Sequence, residues 1–330
     1  MISIGLIGAG FFGAVHARAL AGLPGARLAA VCGGDIDSAR AFAAEHGGTA
    51  YGTWRALLDA PVDAVVIATP HALHAEIALA ALAAGRHVFL EKPMAANPAE
   101  CRAIEAAAGR AEGLLMVGHV MHFFHPLMVA REVIASGETG GPVMGRSALI
   151  KLWMEANRRP WHLDPASGGG MMMTAGIHAI DQLVWLMGGR VAGVTALAGT
   201  YFHDQKADDS AFLGLRFADG RIGQAASIGY CDGAVTNGVE IICERGVIAV
   251  DLDHGVRIGQ GAKWREVPNS WQPNGMEAAV RREWQAFLAA IAEGGPSPVD
   301  ASYGRHIVEI IDGALRASAE RREVALAEQD

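Results

Sequence analysis

The sequence predicts an α/β protein whose first half is a doubly wound parallel sheet and whose second half is a sheet-and-helix domain. Three observations carry this. Strand and helix signals alternate through the first 120 residues. A glycine-rich turn follows the first strand directly, at Gly8, Gly10 and Gly13. Beyond residue 190 the chain changes to successive strands closed by two helices. Parallel neighbours need a crossover between them, so strand-helix-strand repeats imply a parallel sheet. A chain of 330 residues is also long for one core and comfortable for two domains. The boundary is expected near residue 120, giving domains 1–120 and 121–330.

Each element has its own reason. Ile2 to Ile7 is a short apolar run, and Gly8-Ala9-Gly10-Phe11-Phe12-Gly13 leads from it into a helical stretch, Ala14 to Ala21. Leu28 to Cys32 reads as the second strand, after which Asp35 stands where a helix N-cap belongs, ahead of Ser38 to Ala44. Asp63 to Pro70 is a buried strand with a turn behind it, and His74 to Ala84 an alanine-rich helix stopped by Gly85. His87 to Pro93 and Leu114 to Val120 are further strands. Ala148 to Met154 is apolar strand, and from about Met171 the chain reads as helix. Ile177, Ile180, Val184 and Met187 recur there at spacings of three and four. Strands then follow at 190–200, 210–217, 221–230, 239–243 and 247–252, with hairpin turns at Asp219-Gly220 and Glu244-Arg245-Gly246. Helices from Glu277 to Glu293 and from Tyr303 to Arg322 finish the chain.

Composition narrows the function. Hydrophobic residues make up 51% and charged residues 19%, which describes a well-packed globular chain. A net charge of −8 argues against nucleic acid or an anionic membrane surface, both of which favour a basic face. The four cysteines are scattered without paired spacing, so free thiols in a reducing, cytoplasmic setting are expected. The apolar N-terminus lacks a basic leader region, and no run reaches the roughly 18 apolar residues a membrane helix needs.

The G-x-G-x-x-G turn sits in the strand-turn-helix setting that dinucleotide binding demands. Gly8 permits the tight turn, Gly10 a close pyrophosphate approach, and Gly13 close packing of helix on strand. The helix N-terminus behind Phe11 and Phe12 then offers free N–H groups to the phosphates. At the end of the second strand, Gly33 replaces the carboxylate that would bind the adenosine ribose and repel a 2′-phosphate, so the choice between NAD and NADP stays open.

Glu91-Lys92-Pro93 at a strand end is a second signature, and Gly176-Ile-His178-Ala-Ile-Asp181 a third. With the glycine turn before them, these motifs make the chain resemble the Gfo/Idh/MocA family (glucose–fructose oxidoreductase / inositol 2-dehydrogenase) over nearly its full length. The resemblance implies a Rossmann domain followed by an α+β domain with an open, mainly antiparallel sheet, through which members often form homodimers or homotetramers. It implies hydride transfer between a nicotinamide and a hydroxyl or keto group of a sugar, polyol or cyclic dihydrodiol. It also implies Lys92 near the reacting oxygen, His178 as proton donor or acceptor, and Glu91, Thr69, Pro70 and His74 beside the cofactor. Two other activities remain as alternatives: a non-catalytic sensor of the dinucleotide or sugar, and a cofactor-assisted glycosidase.

Those roles also follow from residue chemistry. Hydride transfer creates or consumes an alkoxide, so a proton must move with it. A lysine at an apolar strand end can donate to that oxygen, and a histidine titrates in the right range. Thr174, His178 and Asp181 are four and three apart, which puts them on one helix face. Thr174 stands where many relatives carry an aspartate, so Asp181 is left to orient His178, or His178 acts with Lys92 alone. The preceding Gly168-Gly169-Gly170 leaves room for nicotinamide and substrate, and Met171 to Met173 read as adaptable core. His119 is expected beside the nicotinamide; His122 and His125 follow it at helical spacing without a companion carboxylate, which gives no metal site. Arg159 and Trp161 offer a carboxylate clamp and a flat apolar wall for an acidic ring substrate.

Overall fold

Residues 1–326 are described in a computed structural model, and they form two compact units. One comprises Met1–Val120 with Met276–Arg305; the other comprises Met121–Gly275 with the chain from His306 on.

The first unit holds β1 (Ile2–Ile7), α1 (Phe11–Leu20), β2 (Ala26–Cys32), α2 (Ile36–His46), β3 (Thr49–Tyr51), α3 (Trp54–Leu58), β4 (Ala64–Ile67), α4 (His74–Ala83), β5 (His87–Glu91), α5 (Pro98–Ala108) and β6 (Leu115–Gly118). The six strands are parallel in the order β3-β2-β1-β4-β5-β6. Helices cover both faces of such a sheet, so its strands are unbroken apolar runs: Ala64, Val65, Val66 and Ile67 are all fully buried. Ile7 aligns with Cys32 on one side and Ile67 on the other, so the chain leaves β1 and β4 at the same level. The strand order reverses there, and in open α/β sheets that crevice holds the ligand.

Local chemistry sets the helix starts. Asp35 caps α2, accepting from the Ser38 N–H at 2.7 Å while Ser38 Oγ accepts from the Asp35 N–H at 3.2 Å. Asn97 caps α5, with Pro98 in its first turn. The sequence reading passed over β3, α3 and α5. The first two are three and five residues long, too short to show a period.

Met276–Arg305 packs with residues 1–120 rather than with the second domain, where the sequence reading placed it. Its helix buries Trp284 and Phe287 against Phe89 of β5, with ring centroids 4.7 and 5.6 Å apart. A helical apolar stripe announces burial but not the surface it meets.

The second unit holds α6 (His125–Ser136), β7 (Pro142–Leu152), α7 (Ile177–Met187), β8 (Val191–Gly199), β9 (Ser210–Phe217), β10 (Ile222–Tyr230), β11 (Thr236–Cys243), β12 (Gly246–Asp251), β13 (Gly255–Gln260) and β14 (Lys263–Glu266), and, after α8 (Gly275–Glu293) of the first unit, α9 (Ala301–Glu320) from His306 on and β15 (Val324–Ala325). Nine strands form one sheet, β14-β13-β12-β11-β7-β10-β9-β8-β15, in which β7 and β10 are the parallel pair and the other neighbours are antiparallel. Leu183 of α7 lies against Gly145 of β7, and Ser147 Oγ donates to the Ala179 carbonyl. The opposite face is open. Leu197 (71% exposed), Phe212 (51%) and Ile222 (48%) stand on it, with Leu197 directly across from Phe212.

One element differs in kind from its reading. Met172–Gly176 is a π-helical turn leading into α7, not plain α-helix. Thr174 lies inside this wider turn, and His178 and Asp181 lie beyond it in α7.

Candidate active site

The glycine turn is built from backbone contacts. Gly8 has φ +118°, and a Cβ there would lie 2.3 Å from the Ala68 carbonyl oxygen at the end of β4. A Cβ on Gly13 would lie 2.0 Å from the Gly8 carbonyl oxygen. Gly10 is the opposite case: a Cβ there meets nothing within 4 Å, so its missing side chain leaves space on the ligand side. Gly10 caps α1 without a side-chain bond, and no acid occupies the first turn, leaving N–H groups for an anion. The Thr69 hydroxyl beside the turn is buried without a hydrogen-bond partner. Open space at Gly10, uncapped N–H groups and an orphaned hydroxyl fit the pyrophosphate and nicotinamide end of a dinucleotide. Phe11 is 67% exposed, and Phe12 lies edge-on to His16 at 5.4 Å.

Gly33 has a steric reason to be glycine. A Cβ there would lie 2.4 Å from Ser38 Oγ, so the α2 capping box occupies the space a ribose-binding carboxylate would need. Asp35 is committed to that box.

Behind the turn, His74 is fully buried with Nδ1 2.8 Å from the Pro93 carbonyl and Nε2 3.0 Å from the Thr69 carbonyl. It ties the end of β4 to the Glu-Lys-Pro segment. Burial pushes its imidazole toward the neutral form, and the two carbonyls pull back. Pro70 is exposed beside it, and half-buried Lys92 follows Glu91 at the end of β5. Glu91 itself turns inward, with Oε1 2.8 Å from His16 Nε2, while the Trp284 indole N–H donates to His16 Nδ1 at 3.0 Å. An indole N–H can only donate, so His16 Nδ1 accepts and its Nε2–H donates to the carboxylate. This buried chain joins the cofactor-turn helix α1, the strand bearing Lys92, and α8. His16 and Trp284 escaped the sequence reading because their partners are 75 and 268 residues away. His119 is buried edge-on against Tyr303, ring centroids 5.4 Å apart.

In the second unit the glycine run is explained by Asp208. Its carbonyl accepts from the Met171 N–H at 2.9 Å, and its Oδ2 from the Met172 N–H at 2.9 Å, anchoring the start of the π turn. A Cβ on Gly170 (φ +112°) would lie 2.3 Å from Asp208 Oδ1. Met171, Met172 and Met173 are buried core, as their type suggested. His178 is half-buried one turn further on, as is Thr174. Asp181 is fully buried, its Oδ1 2.9 Å from His122 Nε2, and His122 stacks on Trp185 at 4.5 Å. That bond fixes α7 to the segment before α6. His125 Nε2 instead meets the Asn269 carbonyl at 2.7 Å, so the His122 and His125 rings serve separate contacts.

The two arginines beside Trp161 make separate contacts. Arg158 lies 4.0 Å over Trp153 and donates to the Trp153 carbonyl and to Glu155. The Arg159 guanidinium donates to the Ala156 and Arg158 carbonyls of its own loop, and Trp161 stacks on His162 at 3.6 Å.

Two outcomes test these placements. His16→Gln keeps an acceptor for the indole and a donor for Glu91, whereas His16→Leu strands both; urea unfolding should show His16→Leu less stable by about 2–4 kcal/mol and His16→Gln much closer to wild type. Asp208 gives a pH signature. Burial raises its carboxyl from 3.8 to about 6; the Met172 N–H opposes this and neighbouring Asp209 adds to it. Between those values the folded protein holds a proton that the unfolded chain has released, so stability should fall as pH rises through the window. Asp208→Asn should flatten that slope, by up to about 3 kcal/mol across the window, in unfolding midpoints measured from pH 4 to 7.

Comparisons with known proteins agree with this fold. Residues 2–119 match the family described as an oxidoreductase family with an NAD-binding Rossmann fold, and residues 127–249 match the GFO/IDH/MocA C-terminal domain. The chain is 32% identical to inositol 2-dehydrogenase 2 of Saccharopolyspora erythraea, over 89% of this chain and 86% of that protein. It is 33% identical to 1-carboxy-3-chloro-3,4-dihydroxycyclo hexa-1,5-diene dehydrogenase of Comamonas testosteroni, over 66% of this chain but only 55% of that protein's length. An oxidoreductase domain protein from Kribbella flavida shares the fold with a TM-score of 0.91 and 28% identity, over 99% of each chain. Both domain matches and a relative aligned over most of both lengths converge, and the chain belongs to the Gfo/Idh/MocA family of NAD-binding oxidoreductases.

Proposed function

We propose that the protein is a dehydrogenase that interconverts a hydroxyl and a keto group on a sugar, polyol or cyclic dihydrodiol, with NAD or NADP. The observation that carries this is the crevice at the ends of β1 and β4, open at Gly10 and lined by the unpartnered Thr69 hydroxyl. The relatives' named substrates, inositol and a carboxylated dihydroxycyclohexadiene, support a hydroxylated ring. A bound nicotinamide would supply or accept the hydride. The chain's own part is to manage the proton at the substrate oxygen. Support comes from the His16–Glu91 and His74–Pro93 contacts on either side of half-buried Lys92, and from the Asp208 and Asp181 anchors of the helix that carries half-buried His178. Lys92 donates to the oxygen, and His178 takes its proton during oxidation. Thr174 flanks His178, and Arg159 with Trp161 meets the substrate's acidic or flat side. The free cysteines support a reducing, cytoplasmic setting, and no helix among the described residues is long and apolar enough to cross a membrane.

The open face of the nine-stranded sheet supports a homo-oligomer. Leu197, Phe212 and Ile222 project from adjacent strands there, an apolar patch that a second copy would cover.

Purified protein with NAD⁺ or NADP⁺ and a panel of inositols, sugars and cyclic diols should show growing absorbance of the reduced cofactor; no turnover with any member would sink the reading. His178→Ala should lower turnover by about 10²- to 10⁴-fold with cofactor affinity near normal. The acidic limb of the pH–rate profile for oxidation should vanish with it; a limb that persists assigns the proton to another group. Phe212→Glu should shift sedimentation toward monomer, and an unchanged oligomer would place the interface elsewhere.

A further inference from the structure

Outside the groups assigned above, three side chains of the second unit form a line. The Asp209 carboxylate is fully buried and accepts from the backbone N–H groups of Tyr201, Phe202 and His203 at 2.8–3.1 Å. Burial works to raise this carboxyl, but those donors outweigh it and hold it below its ordinary range. His203 Nδ1 lies 3.2 Å from Asp209 Oδ2. An ionised carboxylate only accepts, so Nδ1 carries the ring proton and Nε2 presents a lone pair. Cys231 Sγ sits 3.7 Å from that Nε2, within reach for the larger sulfur atom; its hydrogen has a second acceptor in the Phe202 carbonyl at 3.4 Å. The β9–β10 pairing builds this arrangement. Ser210 pairs with Ile228, and the Gly229 N–H donates to the Asp209 carbonyl at 2.8 Å, bringing Cys231 beside the loop that carries His203.

Exposure separates this thiol from the other three. Cys231 is exposed, whereas Cys32, Cys101 and Cys243 are buried, and burial pushes the Cys32 and Cys243 thiols up, away from reactivity. A base oriented by a buried carboxylate, next to an accessible sulfur, is the arrangement of an activated nucleophile.

We propose that Cys231 is a thiol–disulfide exchange site, with His203 as its base and Asp209 as the group that holds the imidazole. His203 Nε2 takes the thiol proton as Cys231 Sγ attacks one sulfur of a small disulfide. The new S–S bond forms as the old one breaks, and the leaving thiolate recovers the proton from His203. A disulfide and the Cys231 thiol thus become a mixed disulfide and a free small thiol, with no further oxidant required.

The test uses the full chain and an aromatic disulfide reagent whose released thiolate absorbs visible light, with peptide mass mapping of the product. Cys231 should be modified first, and His203→Ala should react about tenfold or more slowly than wild type. Added imidazole should restore much of that rate, because it replaces the missing base and not a structural contact. Modification of another cysteine first, a His203→Ala rate equal to wild type, or a slow variant that imidazole leaves slow would each overturn the proposal.

Discussion

The molecule depends first on two backbone segments touching where β1 and β4 end. The Gly8 backbone packs so closely on Ala68 that a methyl group would sit 2.3 Å from its carbonyl oxygen. This contact excludes side chains and works with two backbone bonds, from the Ala68 N–H to the Ile7 carbonyl at 2.8 Å and from the Gly8 N–H to the Cys32 carbonyl at 2.9 Å, to fix the turn. The free N–H groups of α1 are aimed from that turn, and Thr69 is the next residue after Ala68. The remainder of the first unit holds this junction still. His74 ties Thr69 to Pro93, and the His16–Glu91–Trp284 chain ties α1 to the strand that ends in Lys92.

The second unit solves the same problem with a charge. Asp208 accepts the first N–H groups of the π turn, donors that would otherwise be buried without an acceptor. Its carboxyl is raised because it lies within the fold and beside Asp209, while Asp209 is lowered because four donors surround it. Two adjacent aspartates therefore titrate apart, and each serves a different partner. One anchors the helix of His178; the other orients His203.

Much of this was legible in the chain. The parallel sheet, the glycine turn and the buried methionines follow from local pattern, because each is decided by residues close in sequence. Gly33 was legible as an absent acid but not as a steric requirement, since the clash comes from Ser38 across a cap. Asp181 read by helical spacing as sharing a face with His178, and its bond to His122, 59 residues away, was beyond the reach of that pattern, as was the π turn upstream. Arg159 read as a carboxylate clamp, and the loop carbonyls of Ala156 and Arg158 that its guanidinium meets were not announced by any local pattern. The misses share a cause: a periodic pattern says that a side chain is turned inward, while its partner is chosen by topology.

The parallel pairing of β7 and β10 carries a last consequence. Parallel neighbours cannot be joined by a hairpin, so the chain must travel back the length of the sheet between them. Everything from Trp153 to Arg221 lies on that return path: the arginine loop, the glycine run, the helix of His178 and the β8–β9 hairpin. The two strands that bound the path are held together through nine aligned residue pairs, from Ile222–Met144 to Tyr230–Leu152, so the path starts beside Tyr230 and ends beside Met144, at opposite ends of that pairing. The excursion is thus stretched across the full length of the pairing and pinned at both of its ends.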